Sequence, residues 1–236
     1  MSYTCQWLHE RLKCLPLIQF PFQLDQLPDN GIYCFYERGE KWGHGGPIPR
    51  IVRIGTHKDG NFRSWISEHY LLVDAKMKFD ETKPAPKDRS IFRKNLGRAL
   101  LNKNKDEYRE LWEVDFTTSA NRAKYKRQRD IAHEMTIERK ITDLIRERFA
   151  FRFVSVRNER TRIGSSGLES ALIGTCAGCE SCGPSNKWLG LHSPKPLIRD
   201  NGLWLVQHLS APCLSERQMR HLDGLIKKTE RIVKFR

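Results

Sequence analysis

The sequence predicts a single compact fold mixing strands with helices, and three observations on its 236 residues carry that prediction. Two short β-like runs, Gly31–Tyr36 (GIYCFY) and Ile51–Thr56 (IVRIGT), flank the segment GEKWGHGGPIP. Glycine and proline break regular structure there, so a hairpin connection follows. Further on, apolar residues recur at helical spacing in several segments, and an alternating run, Phe151–Val156, returns to strand periodicity. Hydrophobic residues at 39% and aromatics at 10% are enough to build a core, so the low mean hydropathy reflects surface charge and not disorder.

Taken in order, Met1–Phe22 has apolar residues without a long apolar stretch, and the hairpin follows it. Asn61–Tyr70 reads as a helix, and Asp80–Asp88 as a polar linker containing Pro and Lys. Ser90 caps a helix whose Phe92, Leu96, Ala99 and Leu100 share a face. Leu111–Phe116 (LWEVDF) reads as a strand. Ile137, Ile141, Leu144, Ile145 and Phe149 mark an amphipathic helix over Asp130–Phe149. The alternating run then gives way to a turn that reaches Gly167, and Ser165, Ser166 and Gly167 open a helix at Leu168–Gly174. Next come the cysteine-rich CAGCESC, the loop PSNKWLGLHSP and a strand at Leu203–Leu209. Ser215 and Gln218 form a capping box for a last helix carrying Met219, Leu222, Leu225 and Ile226.

Charge points to a polyanionic partner. Lys and Arg number 42 against 28 Asp and Glu, a formal net charge of +14 with a pI near 9.6, and each phosphate paired with a cation releases condensed counterions. The charge is clustered. Lys83, Lys87, Arg89, Arg93, Lys94, Arg98, Lys103 and Lys105 face only Asp88 within their segment, and Arg122–Arg129 holds five cations and no acid. Clustering of this kind favours a nucleic-acid surface over general solubility, with Lys87, Arg89, Arg93, Lys94, Arg98, Lys124, Lys126 and Arg127 as candidate contacts. No apolar run approaches the ~20 residues that span a bilayer, and seven cysteines without a secretory signal argue for reduced thiols or metal binding in a cytoplasmic protein.

The hairpin strands carry two tripeptides of related form, Gly31-Ile32-Tyr33 and Arg53-Ile54-Gly55. With RIVRIGTH, the segment ending in His69, SIFRKNLGRALL, the helix bearing Glu169, PSNKWLGLHSP and GLWLVQHL, they resemble, in that order, a bacterial branch of the GIY-YIG nuclease family. The resemblance extends from about residue 30 to about 209, and among characterised members it is similar to small restriction endonucleases. It implies an α+β domain, a small, mainly antiparallel sheet flanked by helices. Its core would be about 29–79 and 150–209, with 80–149 as a basic helical insertion and 213–236 as a C-terminal helix. It also implies metal-dependent hydrolysis of one DNA strand per active site, so that a homodimer or sequential nicking cuts both strands of a duplex.

The same resemblance implies residue roles. Glu169 matches the metal-binding carboxylate, which would hold one Mg²⁺ or Mn²⁺. Tyr33 matches the tyrosine that orients or deprotonates the attacking water, and a phenol needs a nearby cation to do so. Arg53, standing where the second tyrosine usually sits, would supply that charge or bind the phosphate; a guanidinium is never a base. His57 and His69 would hydrogen-bond the scissile phosphate or shuttle a proton, and Asn186 matches an amide that contacts the active site. One position departs from the pattern. The family's helical arginine falls four residues before the histidine matching His69, and Trp65 stands there. Arg63 lies about 200° around an ideal helix from Trp65. Either Arg63 reaches in from a late-starting helix, or the arginine function is lost, leaving a catalytically impaired nucleic-acid-binding module. Apart from the family, Cys176, Cys179 and Cys182 have C-x₂-C-x₂-C spacing suited to a structural Zn²⁺, with His192 or Cys213 as a fourth ligand.

Overall fold

The computed structural model describes residues 2–234. The remaining residues of the expected domain and C-terminal helix, Met1, Phe235 and Arg236, lie outside the described residues. Four strands, β1 (Ile18–Gln19), β2 (Gly31–Lys41), β3 (Pro49–Gly55) and β4 (Phe149–Ser155), form one sheet in the order β1-β4-β2-β3, and every pairing is antiparallel. The helices are α1 (Ser2–Leu12), α2 (Phe62–Tyr70), α3 (Pro86–Arg89), α4 (Ile91–Lys103), α5 (Arg109–Glu113), α6 (Ser119–Tyr125), α7 (Ile131–Arg148), α8 (Glu159–Arg162), α9 (Leu168–Ala177), α10 (Pro196–Asn201) and α11 (Glu216–Lys234). The α+β class is as the sequence indicates.

Alternation along β2 sends successive side chains to opposite faces of the sheet. Tyr33 and Phe35, with Phe149, Phe151 and Phe153 of β4, pack under Phe62, Ile66 and Tyr70 of α2, Phe92 and Leu96 of α4, and Ile141 and Ile145 of α7. Ile32, Cys34 and Tyr36, with Ile54 and Val154, pack against Leu8 and Leu12 of α1, Leu168 and Leu172 of α9, and Leu222 and Ile226 of α11. Each large side chain buried this way contributes about 1.5–3 kcal/mol relative to exposure, so both faces of a four-stranded sheet are covered and stable.

Helix ends follow the side chains that cap them. Ser90 Oγ accepts from Arg93 N at 3.2 Å and Asp130 Oδ1 from His133 N at 2.9 Å. Ser215 and Gln218 exchange the two bonds of the capping box, at 3.3 and 2.9 Å. β2 outruns its apolar stretch because Glu37 and Glu40 are buried with partners. Glu37 takes the indole N–H of Trp188 and of Trp204, and Glu40 pairs with Arg50 across the hairpin at 2.7 Å.

Two expected strands are absent. Leu111–Phe116 instead completes α5 and a following turn, because Trp112 seats on Gly97 of α4 and donates to Lys94 O at 3.0 Å; no sheet edge lies there to pair with it. Leu203–Leu209 makes one ladder-like bond to β3, Trp204 N to Val52 O at 2.7 Å, and then turns, with His208 at φ 59°.

Candidate functional site

The glycines of the two tripeptides are dictated by packing. Register pairs Tyr33 with Gly55 and Phe35 with Arg53, which puts Tyr33 and Arg53 on one face. The Tyr33 ring lies across Gly55, where a Cβ would come within 2.3 Å of the phenolic oxygen. At Gly31 a Cβ would meet Val154 O at 2.8 Å and the Phe62 ring at 3.2 Å. Only glycine lets the sheet bring Phe62 and Tyr33 together.

A buried hydrogen-bonded line starts at Tyr33, which is 2% exposed. Its phenolic oxygen lies 3.0 Å from His69 Nε2, and His69 Nδ1 lies 2.8 Å from Ser90 Oγ. Arg93 NH1 donates to His69 O at 3.0 Å. Burial raises the Tyr33 pKa, opposed by the adjacent Arg53 guanidinium. Burial, then the charges of Arg53 and Arg93, hold His69 well below the ordinary histidine value, so the imidazole is neutral. Arg53 donates to Trp204 O at 2.6 Å and lies 5.1 Å over the Phe92 ring, and its buried Nε has no hydrogen-bond partner among the described residues.

Glu169 enters from the first turn of α9. Its Oε1 accepts from Thr56 N at 3.0 Å, and Thr56 Oγ1 donates to Gly31 O at 2.7 Å, so the residue after β3 ties the start of β2 to the α9 carboxylate. Burial raises the Glu169 pKa against the Thr56 amide and the charges of Arg53 and His208. Tyr33, Arg53, His69 and Glu169 therefore form one electrostatically coupled group.

His57 keeps Nδ1 3.1 Å from Lys58 O, while its buried Nε2 has no hydrogen-bond partner among the described residues. Burial lowers its pKa. Trp65 stacks on His57 with centroids 6.3 Å apart and planes at 15°, sits 6.0 Å from His69, and is 36% exposed. The indole thus roofs both histidines. Arg63 turns the other way, donating to Leu27 O at 2.9 Å and pairing with Asp29 at 3.4 Å. It does not enter the Tyr33 group, as its angular offset from Trp65 requires.

Asn186 is not brought into the group either. It is exposed, and its neighbour Ser185 is fixed to Glu40 by bonds of 2.5 and 3.0 Å, roughly 20 Å along β2 from Tyr33 at ~3.3 Å per residue. The candidate phosphate contacts divide in two. Lys87, Arg93 and Arg98 are buried: Lys87 pairs with Asp88 at 2.8 Å, Arg93 with Glu138 at 2.6 Å, and Arg98 with Glu113 at 2.5 Å. These three hold the 80–149 segment together and cannot meet a phosphate without breaking their pairs. Arg89 and Lys94 are half-buried, on Glu68 and Glu113 O, whereas Lys124, Lys126 and Arg127 are exposed.

Cys179 and Cys182 converge with Cys5 of α1 and His44 of the β2–β3 turn, a group placed to hold a metal ion. Cys176 lies beside Cys5, and Cys213 points to Gly174 O at 3.9 Å; among the described residues neither these nor His192 joins the converging four. Sequence reasoning missed Thr56, Ser90 as a partner of His69, His208, Cys5 and His44. Only Ser90 gave a signal, as a helix cap. The others meet their partners through the fold.

No curated protein and no solved structure matches this chain. The family described as GIY-YIG domain matches residues 8–232, nearly the whole chain and every residue of the Tyr33–Arg53–His69–Glu169 group. The chain therefore belongs to the GIY-YIG domain family, a family of nucleases.

Proposed function

We propose that the chain is a metal-dependent endonuclease that hydrolyses phosphodiester bonds in double-stranded DNA, of restriction or other defence type. The observation that carries the reading is the line Ser90–His69–Tyr33 beside the buried Arg53. With Nδ1–H directed at Ser90, the neutral His69 Nε2 accepts a hydrogen bond from the Tyr33 hydroxyl, which turns the phenolic oxygen to orient the attacking water. Arg53 stabilises the pentavalent phosphorane from β3, the task a helical arginine performs elsewhere in the family. His57 Nδ1 donates to Lys58 O, so its Nε2 donates to a phosphoryl oxygen only once the phosphate's charge brings a proton onto the ring.

The donor set fits a hard divalent ion. Glu169 engages Thr56 through Oε1 only, among the described residues, so Oε2 is free for Mg²⁺ or Mn²⁺, which otherwise take water and phosphate oxygens. A bound ion supplies Lewis-acid charge relief on the phosphate and the leaving oxygen. Lys124, Lys126 and Arg127 supply non-specific attraction to the backbone, and two chains acting together cut both strands.

A second reading rests on Trp65, whose indole lies over His57 and His69 while Tyr33 is buried beneath. In it, the domain binds nucleic acid without cutting. Cleavage of supercoiled plasmid and genomic DNA with Mg²⁺ or Mn²⁺ separates the two. Cutting by the native chain that disappears in Glu169→Ala supports the nuclease. A native chain that binds but does not cut, with cutting restored by Trp65→Arg, supports the binding module.

A further inference from the structure

The end of the β2–β3 hairpin remote from Tyr33 docks on a cluster of thiols. Cys5 of α1, His44 of the hairpin turn, and Cys179 and Cys182 of the loop after α9 each present one donor atom, all within 4.8 Å of one another. Cys5 Sγ and Cys182 Sγ are 3.8 Å apart, and Cys179 Sγ and His44 Nε2 are 3.3 Å apart. A tetrahedral Zn²⁺ with Zn–S of about 2.3 Å and Zn–N of about 2.0–2.1 Å requires S···S of about 3.8 Å and S···N of about 3.6 Å. We infer that Cys5, His44, Cys179 and Cys182 bind one structural Zn²⁺ as a Cys₃His site, tying α1, the hairpin turn and the loop after α9 together.

Independent features suit these sulfurs to thiolate ligation. Gly43 N–H donates to Cys182 Sγ at 3.4 Å, and a hydrogen bond of this kind favours the anionic sulfur. His44 Nδ1 lies 3.4 Å from Ser2 Oγ, an outer contact that fixes the ring and leaves Nε2 for the metal. The turn is built to reach the loop, since a Cβ on Gly43 would fall 1.3 Å from Ser181 O. His9, though close, has both nitrogens engaged: Nε2 accepts from Ile51 N at 3.2 Å and Nδ1 donates to Cys5 O at 2.9 Å. Three thiolates and an imidazole select zinc over Mg²⁺ or Ca²⁺, and donors this close enclose a single ion.

The test is the metal content of the full chain, purified without chelator and measured by inductively coupled plasma mass spectrometry. One zinc per chain is expected, together with the visible absorption of a tetrahedral thiolate site after Co²⁺ replacement. Cys179→Ser and His44→Ala should drop zinc several-fold and lower the Tm, whereas Cys176→Ser and Cys213→Ser should keep one zinc. Because a ligand variant can simply misfold, His44→Cys is the second arm: a Cys₄ site should retain zinc, which a folding defect does not produce. A native chain without zinc or a cobalt spectrum overturns the inference. So does undiminished zinc in Cys179→Ser, or loss of zinc in Cys176→Ser.

Discussion

The two ends of the β2–β3 hairpin make opposite uses of the same helix. At one end Thr56 hands its amide to Glu169 at the start of α9. At the other, His44 meets Cys179 just beyond the end of α9, and Gly43 meets Cys182. The helix between Glu169 and Cys176 spans about 10 Å at 1.5 Å per residue, so hairpin and helix form a frame closed at both ends. The Tyr33 end is closed by protein hydrogen bonds: the Tyr33–His69–Ser90 line, the Thr56 clip and the Arg53 bond to Trp204. At the remote end, among the described residues, three thiols and an imidazole face one another within 4.8 Å, an arrangement that suits a metal ion. Chemistry at the Tyr33 end needs groups that stay put while charge changes; the remote end has only to hold.

That contrast is sharpened most by Arg53→Gln. Removing the cation beside Tyr33 leaves the phenol with burial and with the charges of Glu169 and Cys34, all of which raise its pKa. Cleavage should fall ~10²- to 10³-fold, the typical cost of one preorganised charge-stabilising donor, with zinc content unchanged. Single-turnover cleavage measured beside metal analysis checks both halves. Gly43→Ala should do the reverse. Its Cβ has no room against the Ser181 carbonyl, so the hairpin turn must lift from the cysteine loop, at a cost of about 3 kcal/mol in chemical denaturation, the upper range for overpacking. Zinc retention should suffer more than the Tyr33–His69 bond. Equal loss of activity and metal in both variants would show that the two ends are not separable.

How much of this was legible in the sequence differs between the ends for a physical reason. Tyr33, Arg53, Gly55, His57 and Glu169 lie on or beside regular elements whose periodicity and motif order are written in consecutive residues. The partners that complete the remote end, Cys5 and His44, sit far from Cys179 and Cys182 in sequence, and nothing local announces them. The C-x₂-C-x₂-C spacing suggests Cys176 as a ligand because spacing knows only neighbours along the chain. Charge counting meets the same limit. Lys87–Arg98 looks like a basic strip when only Asp88 is counted, yet Glu113 and Glu138 arrive from α5 and α7 to pair with Arg98 and Arg93. Similarly, LWEVDF alternates like a strand, and only the seat for Trp112 on Gly97 decides that it is helical.

Gly55→Ala perturbs the Tyr33 end by sterics rather than charge. A Cβ within 2.3 Å of the Tyr33 oxygen pushes the ring off His69, for an expected destabilisation of about 1–3 kcal/mol. A double-mutant cycle with Tyr33→Ala isolates the contact. Truncating the ring removes the phenolic oxygen at 2.3 Å together with Cζ at 2.4 Å and Cε2 at 2.9 Å, so the double variant should be less destabilised than the sum of the singles. Strict additivity would mean that the Tyr33 ring does not lie over Gly55.

The smallest expected effect concerns protons. His69 is buried between Tyr33 and Ser90 and faces Arg53 and Arg93, so its folded pKa lies well below the ordinary value of 6.5. A histidine depressed in this way stabilises the fold fully above its unfolded pKa, and that contribution is lost as pH falls below about 6.5 towards the folded value, because only the unfolded chain then takes up the proton. The slope for one such group is about 1.4 kcal/mol per pH unit. Urea denaturation of the native chain and of His69→Gln at pH 8, 6.5 and 5.5 reads it directly. Both curves carry the other titrating groups, including His57, so their difference belongs to His69. The variant should lose less stability than the native chain between pH 6.5 and 5.5, by on the order of 1 kcal/mol. If the two lose stability in parallel, His69 is not held neutral, and the hydrogen bond that its unprotonated Nε2 accepts from Tyr33 fails with it.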